Sequence, residues 1–235
     1  MGFEGDYILK LPSKEYPCLI ESEAAAMTLA GKCGIKTAQF SLARLSGGRR
    51  AYVTRRMDRN PQIKHMEDFC QLTERLTERK YFGSYEQIAK KIRLYSSTGG
   101  ADVIRFFEVV LYSFLIGNSD MHLKNFSLLR EDNSAWHLAD AYDLLPVKLL
   151  LPEDSEDMAL TLNGKKAKIG RNDFVEFGKT IGLNERQISR AVSRIIDALA
   201  ANIDGVLAES QLTDEFADRF NKLVKRNIGM MRQRL

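Results

Sequence analysis

The sequence predicts an α+β fold with a small lobe that is mostly sheet and a larger lobe that is mostly helical. Residues 7–55 contain three short runs rich in β-branched and aromatic residues, with one helix-forming stretch between the first two. After Arg56 the apolar residues recur at helical spacing in several long segments. We therefore predict two units, residues 1–57 and residues 58–235.

The small lobe is predicted to hold a strand, a helix and a hairpin. Its first strand, YILKL from Tyr7, carries a lysine that either presents its amine to a ligand or discourages edge-to-edge aggregation. Residues 19–33 combine strong helix formers with apolar residues at i, i+3 and i+4, and Gly34 follows as a C-cap. The runs 37–45 and 50–55 flank the residues SGGR, which predicts a hairpin.

The larger lobe is predicted to be built from helices. Their predicted ranges are 67–75, 85–95, 101–116, 173–180, 185–201 and 209–227. Pro61 is expected to end any regular element in the polar connector that starts at Arg56. Residues 163–166, NGKK, predict a tight turn, and the lysines there fit a solvated face or a phosphate contact.

Composition limits the class of protein. The chain has 235 residues, 44% hydrophobic and 28% charged, which is typical of a soluble globular protein. Its net charge of +4 is only weak support for a polyanionic partner. The three cysteines form no CxxC and no zinc spacing, and their odd number indicates a reducing cytoplasm. Since no apolar run approaches the ~20 residues of a membrane span, we expect no membrane contact.

A polar loop after the most apolar predicted helix carries the candidate chemistry. Residues 117–129 read GNSDMHLKNFSLL, and two strand-like pieces, 126–129 and 135–139, are joined by the turn at 131–133. Asp120 and Asn125 have the D-x-x-x-x-N spacing of kinase catalytic loops, and Asp143 follows the hairpin where a metal-binding aspartate is expected. Phosphoryl transfer needs a carboxylate for the acceptor hydroxyl and hard oxygen ligands for Mg²⁺.

The spacing alone leaves other interpretations open. Asp120 could cap a helix and Asn125 could be a turn residue, because both residue types favour these positions. A nucleophilic triad of Ser119 or Ser127 with His122 is disfavoured, since the chain has no G-x-S-x-G elbow.

Four motifs together resemble HipA-like serine/threonine kinases, the toxin components of bacterial toxin–antitoxin modules. They are YILKLP near the start, RRMDRN at the connector, GNSDMHLKNFSLL in the central loop and AYDLLP after the hairpin. The resemblance runs in family order from about Tyr7 to Phe174, and helices follow as expected. It implies a two-lobed protein-kinase-like fold, ATP and Mg²⁺ as cosubstrates, and a protein serine or threonine as acceptor.

The resemblance also assigns roles by position. Asp120 would be the catalytic base, Asn125 and Asp143 the Mg²⁺ ligands, and Lys10 a contact to the ATP phosphates, with Glu23 as its ion-pair partner. The further nucleotide contacts it implies are His122, Lys124 and Tyr142, together with Arg55 and Met57 in a hinge against adenine. Relatives typically have Glu-Arg-Phe in this hinge, whereas residues 55–57 here are Arg-Arg-Met.

The resemblance implies partners as well. The usual partner is a small helix-turn-helix antitoxin, HipB-like, through which DNA is contacted indirectly, and an aminoacyl-tRNA synthetase is a candidate target. Relatives carry a Gly-containing phosphate loop before the lysine strand, but Gly2 and Gly5 with the two residues between them do not make that loop. We therefore expect weak nucleotide binding by this chain alone, with a separate N-terminal chain as one source of the missing part.

Two other functions stay open from the sequence. A small-molecule phosphotransferase of kinase-like fold would share the Asp/Asn/Asp arrangement. An inactive, kinase-derived binding module is favoured by the missing phosphate loop and the altered hinge. The retained Asp120, Asn125 and Asp143 argue against that module.

Overall fold

A computed structural model describes residues 5–59, 63–131 and 134–232, and it confirms the α+β class. The strands are β1 (Tyr7–Lys10), β2 (Phe40–Arg44), β3 (Arg50–Arg55), β4 (His65–Asp68), β5 (Ser127–Arg130) and β6 (His137–Leu138). The helices are α1 (Leu19–Lys32), α2 (Phe69–Leu72), α3 (Tyr85–Tyr95), α4 (Gly99–Ile116), α5 (Val147–Leu150), α6 (Arg171–Thr180), α7 (Glu185–Glu209) and α8 (Asp214–Arg232). Within the described ranges, no helix combines the length and apolarity needed to cross a membrane.

Parts of three sequence-based expectations lie outside the described residues. These parts are residues 2–4, residues 60–61 of the connector, and residues 132–133 of the turn predicted between the two strand-like pieces 126–129 and 135–139.

The first sheet brings a lysine and a glutamate together. Its strands are antiparallel in the order β1-β3-β2, and Lys10 lies opposite Tyr52 in the register. Directly opposed residues point to the same face of a sheet, and Tyr52 is buried against Ile20 of α1. Glu23 is three residues after Ile20, on the same face of the helix. The pairing of β1 with β3 therefore directs Lys10 towards Glu23.

The second sheet differs from the sequence-based expectation. The range 67–75, predicted as one helix, contains the end of β4 and the single turn α2. β4 pairs antiparallel with β5, and Asp68 then caps α2 through a capping box with Gln71. Hydrogen bonding to the edge of β5, whose first three residues are buried, outweighs the local helical pattern. The larger lobe therefore contains a three-stranded sheet, β4-β5-β6, as well as its helices.

Helix α4 passes through the main core and positions the polar loop. Buried apolar side chains cover it almost all round, as expected of a central helix. It ends at Gly117, whose φ of 73° is in the left-handed region and whose added Cβ would lie 2.7 Å from Leu223 of α8. Only glycine satisfies both demands without strain. The chain turns sharply there and presents residues 118–125 at the end of the core.

Candidate active site

A cavity of about 600 Å³ lies between the first sheet and the second. This volume is within the range of small-molecule sites in proteins. The residues that line it include seven of those selected from the sequence: Lys10, Glu23, Arg55, Met57, Lys124, Tyr142 and Asp143. The structure thus brings together residues that are up to 133 positions apart in the chain.

Lys10 is held by two acids from different parts of the molecule. Its Nζ donates to the two carboxylate oxygens of Glu23 at 2.8 and 2.9 Å, and to Oδ1 of Asp143 at 2.5 Å. It also lies 5.6 Å from the centre of the Tyr52 ring. The predicted ion pair between Lys10 and Glu23 is confirmed. The ion-pair cluster of Lys10, Glu23 and Asp143 ties β1 and α1 to the segment after the hairpin.

Burial and charge oppose each other in this cluster. Burial raises the pKa of Glu23 to about 7, although the Lys10 ammonium acts in the opposite direction. Burial lowers the pKa of Lys10, but the carboxylates of Asp143 and Glu23 more than compensate, and the net shift is upward. Lys10 is therefore cationic at neutral pH, as a contact to an anionic ligand must be.

Asp143 has an unusual backbone conformation. Its φ of 58° lies in the left-handed region, which residues other than glycine seldom occupy. Such a conformation costs on the order of 1 kcal/mol and persists where the surroundings enforce it. Here the carbonyl oxygen of Asp143 accepts a hydrogen bond from Nδ2 of Asn118 at 3.3 Å, while its carboxylate reaches Lys10. Such strained positions cluster at functional sites.

Asn118 connects the two candidate acids, and the sequence analysis gave it no role. Its side chain is fully buried. Oδ1 accepts a hydrogen bond from the backbone N–H of Asp120 at 3.4 Å, while Nδ2 donates to Asp143. One buried amide therefore sets the relative position of Asp120 and Asp143. Its place two residues before Asp120, typical of an Asx turn, was the signal available in the sequence.

Asp120 is accessible and already accepts a hydroxyl. Its side chain is 40% exposed, and Oδ1 accepts a hydrogen bond from the hydroxyl of Tyr81 at 2.7 Å. Asn125 donates through Nδ2 to the backbone oxygen of Asp120 at 3.0 Å. This bond orients the amide, and no described residue donates to Oδ1 of Asn125. The loop thus offers a free amide oxygen beside an exposed carboxylate.

His122 lies behind Asp120 and is buried. Burial lowers its pKa, although the Asp120 carboxylate opposes the shift, so that the ring is neutral at pH 7. The ring packs edge-on against Tyr81, with 5.2 Å between the ring centres. Neither His122 nor Asn125 lines the large cavity, and their predicted contacts to a nucleotide stay predictions.

Lys124 and Tyr142 form a second polar cluster on the cavity wall. The Nζ of Lys124 donates to Oδ2 of Asp68 at 2.6 Å. The hydroxyl of Tyr142 donates to the backbone oxygen of Lys124 at 2.8 Å and lies 2.7 Å from the hydroxyl of Ser127. Asp68 is a site residue that the sequence analysis missed, because it falls in the range predicted as a helix.

All three residues of the segment predicted as a hinge, Arg55, Arg56 and Met57, line the cavity. The backbone N–H of Arg55 donates to the carbonyl oxygen of Gln39, and that of Arg56 to the carbonyl oxygen of Asp6. Within the described chain, the N–H of Met57 has no hydrogen-bond acceptor. A ring acceptor of a bound base could use this N–H.

The family model of the HipA-like C-terminal domain matches residues 2–203. The chain belongs to this family. A Haemophilus influenzae protein named "Putative kinase" is 30% identical over 257 residues, covering 97% of this chain and 75% of that protein. The Sinorhizobium fredii protein "Putative kinase Y4dM" is also 30% identical, and there the match covers 85% of this chain but only 52% of the relative.

Two solved structures share the HipA-like fold. The Shewanella oneidensis HipA, solved in a complex with HipB and its operator DNA, superposes with a TM-score of 0.81 at 21% identity, covering 97% of this chain and 59% of that one. The Helicobacter pylori proinflammatory kinase CtkA gives a TM-score of 0.70 at 16% identity, covering 96% of this chain and 86% of that one. These likenesses confirm the kinase-like fold predicted from the motifs. The chain spans a little over half of the HipA chain.

Proposed function

We propose that this chain is the catalytic part of a HipA-like protein serine/threonine kinase, which transfers the γ-phosphate of ATP to a protein hydroxyl. The observation that carries the proposal is the ion-pair cluster of Lys10, Glu23 and Asp143 on the cavity wall, linked through Asn118 to Asp120. In this arrangement Lys10 would bind phosphate, Asp143 would bind a metal ion, and the accessible Asp120 would accept the proton of a hydroxyl. Phosphoryl transfer requires little more, since its catalysis is mostly positioning and charge stabilisation.

The residues of the site fit Mg²⁺. Asn125 has an oriented amide oxygen that accepts no hydrogen bond from the described chain, and Asp143 uses only Oδ1 for Lys10. Mg²⁺ prefers such hard oxygen ligands and usually keeps several waters and phosphate oxygens. In the described ranges no three His, Cys, Asp or Glu side chains could hold a metal by themselves, so the phosphates and waters would have to supply the remaining ligands. When bound, the ion would neutralise charge that develops on the phosphates.

Asp120 is proposed to be the base of the reaction. The acceptor hydroxyl would take the position that the Tyr81 hydroxyl holds against the Asp120 carboxylate. Its oxygen forms the new bond to the γ-phosphorus, the bond to the ADP oxygen breaks, and the hydroxyl proton passes to Asp120. Lys10 would bind the phosphates, and the N–H of Met57 the adenine.

The partners are proposed from the family. Because a HipA of the same fold is solved with HipB and its operator DNA, we propose a HipB-like helix-turn-helix antitoxin as partner, with DNA contacted only through it. The protein substrate would be cytoplasmic, and an aminoacyl-tRNA synthetase is the first candidate to test. These proposals rest on family membership and not on residues of this site.

The exposure of β1 favours a variant of this function, in which the site is completed by a further segment or chain. Its residues Tyr7, Ile8 and Leu9 are 60%, 49% and 55% exposed, and Leu11 just beyond is 57% exposed. Among the described strands, β1 pairs only with β3. Apolar side chains on both faces of an edge strand are typical of a strand that another element covers. We propose that this element carries the phosphate-binding loop.

Transfer of labelled phosphate to a mixed protein extract tests the proposal. The wild-type chain, with an added N-terminal partner where needed, is expected to label one or a few proteins in the presence of ATP and Mg²⁺. The variant Asp120→Asn should lose about 10²–10⁴-fold of this rate, the usual contribution of general acid–base catalysis. Asp197→Asn, an exposed position on α7 paired with Arg232, is the matched control and should retain full activity.

Two outcomes would overturn the kinase assignment. Equal labelling by wild type and Asp120→Asn would remove Asp120 from the mechanism. The absence of labelling by the wild type, even with an added N-terminal partner, would favour the kinase-derived binding module.

A further inference from the structure

A second cavity of about 470 Å³ opens beside Asp120 and shares no lining residue with the cavity that Lys10 lines. Its floor is apolar and includes Leu145, Val147 and Leu150. Asp120 is thus the catalytic candidate that faces this second cavity. An acceptor group placed there would approach Asp120 without entering the nucleotide-sized cavity.

The rim of this second cavity is acidic. Glu153, Asp154 and Glu156 line it together with Asp120, and no lysine or arginine is among the residues that line it. Glu156 has a cationic neighbour, since the Nζ of Lys166 lies 3.3 Å from its Oε2. Glu153 and Asp154 form no ion pair within the described chain. Asp120, Glu153 and Asp154 therefore form a local excess of negative charge in a protein whose net charge is +4, and like charges repel unless a ligand neutralises them.

A buried hydroxyl in the same cavity also lacks a partner. Ser119 is 5% exposed and lines the cavity, and its Oγ has no hydrogen-bond partner within the described chain. Buried polar groups are almost always hydrogen-bonded, and an exception needs an explanation. Ser119 directly precedes Asp120 and its Oγ is closed off from solvent, so rotation of the side chain would turn the hydroxyl towards a ligand beside this acid. The backbone of an extended peptide could supply the missing partner.

We propose that this acidic cavity binds the acceptor segment of the substrate protein and selects segments with an arginine or lysine close to the phosphorylated hydroxyl. The inference rests on the proposed kinase function and deepens it. The basic side chain of the peptide would lie against Glu153 and Asp154. A neighbouring apolar side chain would pack on the apolar floor of the cavity, and the peptide backbone would form a hydrogen bond with Ser119. Exposed ion pairs are weak one at a time, but two carboxylates acting together can change affinity about tenfold.

Binding of three fluorescent peptides tests this proposal directly. The peptides have one length and one serine, flanked by arginine, glutamine or glutamate, and their affinities for the full chain are measured by fluorescence polarisation. The arginine peptide should bind about tenfold more tightly than the glutamine peptide, and the glutamate peptide should bind most weakly. Equal affinities, or no binding of any peptide, would overturn the proposal.

Four variants test which residues cause the preference for the arginine peptide. The double variant Glu153→Gln/Asp154→Asn should reduce the preference for arginine to about twofold or less, with the glutamine peptide unaffected. Ser119→Ala should weaken all three peptides alike. Glu176→Gln, which changes the net charge on the exposed face of α6 beside Lys179, is the control and should keep the full preference. Glu153→Lys/Asp154→Lys should make the glutamate peptide bind best, a gain that misfolding cannot produce.

Phosphate transfer to the same peptides is measured separately. A preference for arginine in binding without any transfer would contradict the kinase function and leave the acidic cavity as a peptide site. Transfer to all three peptides with equal affinity would contradict the acidic cavity as a selective site and leave the kinase function. An unchanged preference in the double variant would also refute the assignment to Glu153 and Asp154.

Discussion

The two sides of the nucleotide-sized cavity are built very differently. On the catalytic side, Asn118, Met121 and Leu123 are completely buried, and the end of α4 holds them against the core. On the opposite side, Ile8 and Leu9 of β1 are about half exposed. The catalytic side is therefore preorganised by the core. The strand that carries Lys10 depends on its pairing with β3 and on the ion-pair cluster.

This difference is the physical reason why we expect the chain alone to bind a nucleotide weakly. Preorganised groups contribute to catalysis because no energy is spent on arranging them during the reaction. A strand exposed on both faces has few packing contacts that resist displacement. Each of the following experiments changes one side, or the connection between them.

A matched pair of leucine substitutions should give the largest difference. Leu123→Ala removes a completely buried side chain beside the catalytic loop, and we expect it to lower the free energy of unfolding by roughly 2–5 kcal/mol. Leu9→Ala removes a side chain that is 55% exposed, and the loss should be less than about 1 kcal/mol. Urea unfolding measures both, and similar losses would show that the two sides are equally well packed.

Asn118→Ala should produce an intermediate effect. The substitution leaves the backbone carbonyl of Asp143 without its donor and the N–H of Asp120 without its acceptor. We expect a loss of about 1–3 kcal/mol in the free energy of unfolding. The rate of phosphate transfer should also fall, since the two acids lose their common anchor. A variant with unchanged stability and unchanged rate would show that Asn118 does not position them.

The effect of Glu23→Gln on stability should depend on pH. The folded-state pKa of Glu23 is about 7, above its ordinary value of 4.5, so the folded protein binds this proton more tightly than the unfolded chain. Its contribution to stability is therefore greatest below pH 4.5 and declines as the pH rises to about 7. We expect the wild type to lose roughly 1–3 kcal/mol relative to the glutamine variant across this range.

Unfolding by urea at several pH values between 4 and 8 checks this expectation. The difference between wild type and variant isolates Glu23 from other titrating groups. A wild type that gains stability relative to the variant as the pH rises would contradict the direction of the shift.

Most of the fold could be predicted because its signals are local. The ranges of α3 and β3 agree with the prediction, and Ser84 caps α3 by accepting a hydrogen bond from the N–H of Gln87. The helix predicted over 67–75 was wrong, since the pairing of β4 depends on β5, some sixty residues later in the chain. Local periodicity carries no information about such a partner.

The same distinction between local and distant signals applies to the residues of the candidate site. Lys10 and Asp143 could be selected because motifs mark them. Tyr81 could not, because its contact with Asp120 crosses 39 residues of sequence and exists only after folding. Asp68 was also missed. It lies in a range predicted as a helix, and its partner Lys124 is 56 residues away.

The most direct test of the central claim is calorimetric titration of the chain with ATP, in the presence and absence of Mg²⁺. We expect weak binding to the wild type, with a Kd of roughly 0.1–1 mM, because no described segment covers the exposed strand β1 beside the cavity. We also expect binding to require Mg²⁺ and to be lost in Asp143→Asn, because Asp143 is the proposed link between metal and nucleotide. Tight binding by the chain alone, or equal binding by Asp143→Asn, would contradict this expectation.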